Sequence, residues 1–206
     1  MLTLYYSPGA CSQAPHITLH EIGLSHDAVR VDLRAKLLED GSDYRAVNPK
    51  GAVPALQLES GEVLTENAVI LQYLGDRQSG DLLPPPGTFR RYRVLEWVNY
   101  ITTELHKSFG PMFKADAGEE TKAFFTKVIA ERLSYVDREI GDGPFLTGDT
   151  LTLGDPYLFV ITGWAEKFFG LADWPNLAAF RTRMLERPSV RHVLRFEGLL
   201  NEEVDA

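Results

Sequence analysis

The chain has 206 residues, 44% of them hydrophobic and 24% charged, with a net charge of −8 at pH 7 and a single cysteine. That length supports one or two domains with a full core. The acidic balance disfavours nucleic acid and anionic membranes, one cysteine excludes a disulfide framework within the chain, and no apolar run is long enough to span a bilayer. No basic segment followed by an apolar core stands at the start, so the chain reads as a cytoplasmic protein of a reducing compartment.

Residues 1–77 alternate between strand and helix patterns. Leu2–Tyr6 has β-like alternation. Pro8-Gly9 marks a turn, and a helical pattern over 12–22 follows. Pro15 lacks an N–H and fits only in a first helical turn, so the helix is expected to start at about Cys11–Ser12. A strand over 28–33 comes next, then a mixed stretch over 34–47 with room for a short helix. Residues 55–59 and 62–64 read as two strands joined by the two-residue turn Ser60-Gly61. A helix is expected over 66–76, with Thr65 as its N-cap. The order is βαβαββα: a mixed four-stranded sheet with helices packed on it, its first pair parallel through a right-handed crossover.

Residues 78–88 carry Ser79-Gly80-Asp81 and Pro84-Pro85-Pro86-Gly87, which no helix continues through; they read as a linker. Residues 89–206 read as an all-helical domain. Its elements are a long amphipathic helix over 89–109, Glu119–Ile140, a nearly all-apolar helix from about Thr152, and shorter helices over 175–186 and 189–196, with a frayed tail over 201–206. Thr152-x-x-Asp155 opens the apolar helix as a variant capping box.

Chemistry concentrates at a few points. Cys11 falls between a strand and a helix, where unpaired N–H groups and the helix dipole favour a thiolate. The same groups would equally hold a ligand's thiolate, and any redox cycle of Cys11 needs an external thiol. Val53-Pro54 precedes a strand; a cis bond there would turn the Val53 backbone outward as an edge for an extended peptide. Glu66 and Asn67 stand in a helix's first turn, where carboxylates bind. Asn99, Thr103 and His106 are spaced i, i+4, i+7 and share a helix face. His16 and His20 have i, i+4 spacing, but no third ligand stands out, so no metal site is expected.

Jointly these stretches resemble the glutathione transferases, and most closely their bacterial beta class. The resemblance is carried by Tyr6-Ser7-Pro8-Gly9-Ala10-Cys11-Ser12, by residues 48–56 (Asn-Pro-Lys-Gly-Ala-Val-Pro-Ala-Leu), by Leu64-Thr65-Glu66-Asn67, by residues 97–107 and by Thr152-Leu153-Gly154-Asp155. It implies a thioredoxin-like α/β domain (1–77) followed by an all-helical one (89–206) that carries the electrophile pocket and the dimer contacts. It also implies a homodimer that joins the glutathione thiolate to small hydrophobic electrophiles in detoxification.

In the roles it implies, Cys11, Ser12 and His106 tune the glutathione sulfur, with mixed-disulfide chemistry open at Cys11. Val53 and cis-Pro54 pair with the tripeptide, Glu66 and Asn67 hold the γ-glutamyl carboxylate, and Lys36 meets the glycine carboxylate. Ala10, Asn99 and Thr103 add contacts. Glu104 reaches the partner subunit's glutathione, and Tyr6 either lines the pocket or packs in the core. Asn67 stands where many relatives have Ser, and Pro156 follows Asp155 where Ala is usual. The alternatives are a glutathione-dependent thiol–disulfide reductase, a dehalogenase, or a non-catalytic glutathione-binding protein on the same fold.

Overall fold

A computed structural model describes residues 1–78 and 80–200. Ser79, in the expected linker, and the expected frayed tail 201–206 lie outside the described residues. Two compact units divide the chain: Met1–Gly80 together with the chain from Leu185 onward, and Asp81–Met184.

The first unit is built on one mixed sheet. Its strands are β1 (Leu2–Tyr6), β2 (His26–Asp32), β3 (Leu37–Leu38), β4 (Ala55–Gln57) and β5 (Val63–Thr65), in spatial order β3-β2-β1-β4-β5. β1 and β2 are parallel, with Leu2 opposite His26, while β4 and β5 run antiparallel. The mixed stretch after β2 adds the two-residue edge strand β3 and a 3₁₀ turn over Tyr44–Ala46 to the four expected strands.

Period-2 alternation explains the two-sided core. Leu2, Leu4 and Tyr6 face one side and pack with Leu19, Leu56, Ile70 and Leu74. Tyr5 faces the other side with Val31, Tyr44, Val53 and Ala55. The first side is covered by α1 (Gln13–Glu21) and α2 (Asn67–Asp76), which touch each other.

The last helix, α8 (Pro188–Phe196), packs on α1. The sequence assigned this segment to the helical domain; its contacts place it in the first unit. The fastening is polar as well as apolar. Arg187 makes a two-pronged pair with Glu21 at 2.7 and 2.8 Å, and Ser189 also donates to Glu21. Burial alone would raise the Glu21 pKa, but these bonds outweigh it and the pKa is lowered.

The second unit is helical. α3 (Phe89–Tyr100) runs into a π-helical segment, Ile101–His106, then the short α4 (Lys107–Phe109) and a 3₁₀ turn. The expected uninterrupted helix over 89–109 is therefore broken by one wide turn, which rotates His106 away from the face set by α3. α5 (Glu119–Ile140), α6 (Gly154–Phe169) and α7 (Pro175–Leu185) complete the chain order. α6 is buried from Gly154 through Thr162, which places it at the centre of this unit as its all-round apolar pattern requires. Among the described residues no helix is long and apolar enough to cross a membrane.

Candidate active site

The turn after β1 is closed by its own groups. The Ser12 hydroxyl accepts from the Ser7 N–H (3.1 Å) and donates to the Ser7 carbonyl (3.3 Å). Gly9 takes φ +68°, a conformation open to glycine. Helix α1 begins at Gln13, with Ser12 as N-cap and no side-chain cap bond.

The expected unpaired N–H groups are partly consumed here. Gln13 N–H donates to Ala10 O and Ala14 N–H to Cys11 O, because the turn leads into the helix with i→i+3 geometry. Ser12 is thus a turn-builder, and Ala10 is part of the same turn, its N–H on Ser7 O.

Cys11 is 7% exposed, and its Sγ donates to the Val53 carbonyl at 3.3 Å. The Val53–Pro54 bond is cis. The preceding carbonyl, Ala52, accepts from Tyr44 Oη (2.9 Å) and Asn48 Nδ2 (2.7 Å), so two side chains brace the loop. Burial pushes the Tyr44 pKa up to about 12, so its hydroxyl stays protonated and donating. Lys36, itself at φ +61°, donates from Nζ to Gly51 O at 2.7 Å. Neither Tyr44 nor Asn48 carries a sequence signal for this bracing, since a brace leaves no motif.

The third segment arrives at the start of α2. Thr65 is not the N-cap; it ends β5, and its hydroxyl accepts from Lys50 Nζ at 2.8 Å. The cap is Glu66, held at φ +73°, a costly conformation for a residue with a side chain. Its exposed carboxylate pairs with Lys50. Asn67 is 6% exposed and donates from Nδ2 to the Cys11 carbonyl at 3.2 Å. Its Oδ1 is a buried acceptor with no hydrogen-bond partner. Segments around residues 11, 53 and 67 thus meet at Cys11, with Lys36 and Lys50 supplying local positive charge against the acidic total. Lys50 stands in the motif over 48–56, and its closeness to Glu66 is a tertiary fact.

Tyr6 takes the second of its two expected places: it is buried in the core with Leu2 and Leu4, its ring against those of His16 and Phe196. Burial, then Glu197, raises its pKa.

In the second unit, Asn99 and Thr103 are exposed, whereas His106 is partly buried. The His106 Nδ1 lies 2.6 Å from Tyr157 Oη, and its ring stands edge-on to Trp164 at 5.0 Å. The π-helical turn has split the expected stripe. Burial, with a smaller effect of Lys107, pushes the His106 pKa down to about 4, so the ring is neutral at pH 7. Glu104 is paired with Arg132 at 2.6 Å. Among the aromatic side chains of this unit, Phe109 is fully buried, Trp164 is nearly so, and Phe113 is 50% exposed; both phenylalanines meet Trp164 edge-on.

A second cluster lies in the first unit. His16 and His20 of α1 meet His26 of β2, and His192 of α8 stacks on His20 at 4.2 Å. No third ligand stands out beside His16 and His20 in the sequence, but the fold carries His26 there. Burial first, then the neighbouring rings, pushes the His20 pKa down to about 4. Burial likewise lowers that of His26, opposed in part by its bond to Leu24 O.

A mixed sheet that brings a cysteine turn, a cis X-Pro loop and a strained helix start together defines a thioredoxin-like domain, here joined to a helical unit. Residues 9–77 match the family model for the glutathione S-transferase N-terminal domain, and residues 103–195 match that for the C-terminal domain. The chain belongs to the glutathione S-transferase family.

It is 46% identical to glutathione S-transferase GstA of Escherichia coli O157:H7, over 96% of this chain and all of that protein. Glutathione S-transferase GST-4.5 of Xanthomonas campestris pv. campestris is 35% identical over 96% of this chain. Among solved structures, BphK, a bacterial GST in a ternary complex, superposes with TM-score 0.93 at 46% identity, over 96% of this chain and all of BphK. A sphingomonad glutathione S-transferase complexed with glutathione superposes with TM-score 0.91 at 40% identity, over 96% of this chain and all of that one. The chain is a glutathione transferase of the kind found in the bacterial beta class.

Proposed function

We propose that this enzyme lays glutathione along the Val53 edge with the substrate thiol beside Cys11, and transfers it to small apolar electrophiles. The observation that carries this reading is the meeting of three segments at Cys11, each contributing backbone or amide groups suited to a short peptide. The tripeptide backbone pairs with Val53 beside cis-Pro54 and takes over the carbonyl that Cys11 Sγ now occupies. The released S–H of Cys11 then donates to the glutathione thiolate. The γ-glutamyl carboxylate is held by the helix-start N–H groups at Glu66–Asn67 with Lys50 nearby, and the glycine carboxylate at Lys36; Ala10 and Ser12 keep the turn in shape.

The reaction is a displacement or an addition. Glutathione gives up its thiol proton, sulfur forms a bond to an electrophilic carbon, and a leaving group departs with the bonding pair or the adduct takes up a proton. A free thiol titrates near pH 8.5, so the site has to favour the anion by only a unit or two. The electrophile is assigned to the aromatic group of the helical unit, where Phe113 is exposed beside Trp164 and Phe168. Asn99, Thr103, Glu104 and His106 are further glutathione-side candidates; His106 acts as a neutral hydrogen-bonding ring, since its depressed pKa leaves it uncharged. A cytoplasmic homodimer serving detoxification completes the reading.

The low exposure of Cys11 favours the hydrogen-bond role over that of an exposed redox nucleophile. The test is retention on a glutathione resin combined with turnover of an electrophile panel. Retention with conjugation is expected. Turnover of disulfides alone would instead make the protein a thiol–disulfide reductase, and retention without turnover a binding protein. Light scattering tests the dimer.

A further inference from the structure

Outside the candidate active site, three histidines and a buried glutamate are arranged with the bonds a metal centre needs. One ring nitrogen from each of His16, His20 and His26 lies within 4.8 Å of those of the other two. The His16 Nδ1 is 3.1 Å from Glu197 Oε1, whose carboxylate accepts, so Nδ1 carries the proton. The His26 Nδ1 is 2.8 Å from the Leu24 carbonyl, which accepts only, so that Nδ1 is also protonated. On both rings the bare lone pair is left on Nε2. Metal-binding histidines are held in this manner, one ring N–H on a carboxylate or carbonyl and the other nitrogen on the ion.

Glu197 is itself anchored, its Oε2 accepting from Gly9 N–H (2.9 Å) and Gln13 Nε2 (3.0 Å). Its orientation is therefore set without the metal. His20 and His26 are half-exposed and His192 is exposed, which leaves a path for an ion from solvent.

We propose that His16, His20 and His26 form a three-histidine site for a divalent transition metal of the zinc, cobalt, nickel or copper type, with Glu197 as the positioning carboxylate. Imidazole donors suit these ions and not magnesium or calcium, which take oxygen ligands. Bonds of about 2.0–2.1 Å in tetrahedral array need ligand atoms about 3.4 Å apart, so rings at the 4.8 Å limit each move inward by about 0.8 Å, and closer ones by less. The fourth position is open to water, with His192 beside it on His20. An ion there would join α1, β2 and, through Glu197, the end of α8.

The competing account is a cluster of rings that only fills space. Tag-free full-length protein, without glutathione in the buffer, is titrated with Zn²⁺ by calorimetry and with Co²⁺ by visible absorption. One ion per chain is expected, with the Co²⁺ bands of a four-coordinate nitrogen-rich site that persist in Cys11→Ser. Affinity is expected to fall at least about tenfold in Glu197→Gln, the size typical of a lost positioning partner, and by more in His20→Leu, which removes a ligand. The exposed His192→Ala variant keeps the three ligands and is expected to bind one ion. No saturable binding, a Co²⁺ spectrum that changes in Cys11→Ser, or wild-type affinity in both His20→Leu and Glu197→Gln would overturn the proposal.

Discussion

The starts of α2 and α6 differ in how completely their polar groups are used. At α6 the buried carboxylate of Asp155 accepts from Thr152 N–H (2.7 Å), Thr152 Oγ1 (3.0 Å) and Leu146 N–H (2.8 Å). Pro156 sits in the first turn and disturbs none of this. At α2 the cap residue is strained, its side chain makes no cap bond, and Asn67 keeps a buried oxygen without a partner. A buried acceptor left alone costs about 1–3 kcal/mol. The contrast teaches that one start is built to hold a fold together, while the other is kept at some expense and invites a ligand.

The strongest way to break this comparison is Asp155→Ala. Removing one acceptor strands three buried donors, so unfolding stability is expected to fall by about 3 kcal/mol or more, read from the denaturant midpoint. A loss below about 1 kcal/mol would mean that the knot at α6 is ornamental.

A second effect, nearly as large, concerns His106. Folded, it binds a proton only near pH 4, whereas the unfolded side chain does so near 6.5. Between these values the unfolded state holds more protons, so stability rises with pH and is lost as pH falls through the window. The loss approaches about 3 kcal/mol. His106→Gln is expected to reduce that slope by the His106 share, leaving the part due to His20 and His26, seen in melts from pH 7 to pH 4.

Asn67→Ala sharpens the comparison from the other side. Glutathione KM is expected to rise about tenfold, close to 1.4 kcal/mol, while stability changes by less than in Asp155→Ala. The smallest effect is expected from Cys11→Ala. Conjugation should stay within about tenfold of wild type, because one S–H···S⁻ hydrogen bond is worth on the order of 1 kcal/mol, and any disulfide turnover should vanish. Steady-state assays with an electrophile and with a mixed disulfide separate the two.

Much of the architecture was legible from local pattern. Alternation in Leu2–Tyr6, Pro15 in a first turn, Ser60-Gly61 between short strands and the apolar run of α6 each describe their own neighbourhood, and the folded chain keeps them. The site was legible as separate motifs. Cys11, Val53 and Asn67 stood out because cysteine, X-Pro and a helix-start amide carry signals within a few residues.

Other features depend on partners distant in sequence. The π-helical turn redirecting His106, the return of α8 onto α1, Tyr6 in the core and the bracing of Ala52 by Tyr44 and Asn48 are of this kind. So is the meeting of His26 with His16 and His20, which no spacing rule on one helix can express. The amino-acid order by itself determined the periods, turns and chemically marked residues, because those depend on backbone sterics and neighbours three or four positions away. Which of them touch was decided only in three dimensions, where strand register and helix packing set distances between residues that the chain keeps far apart.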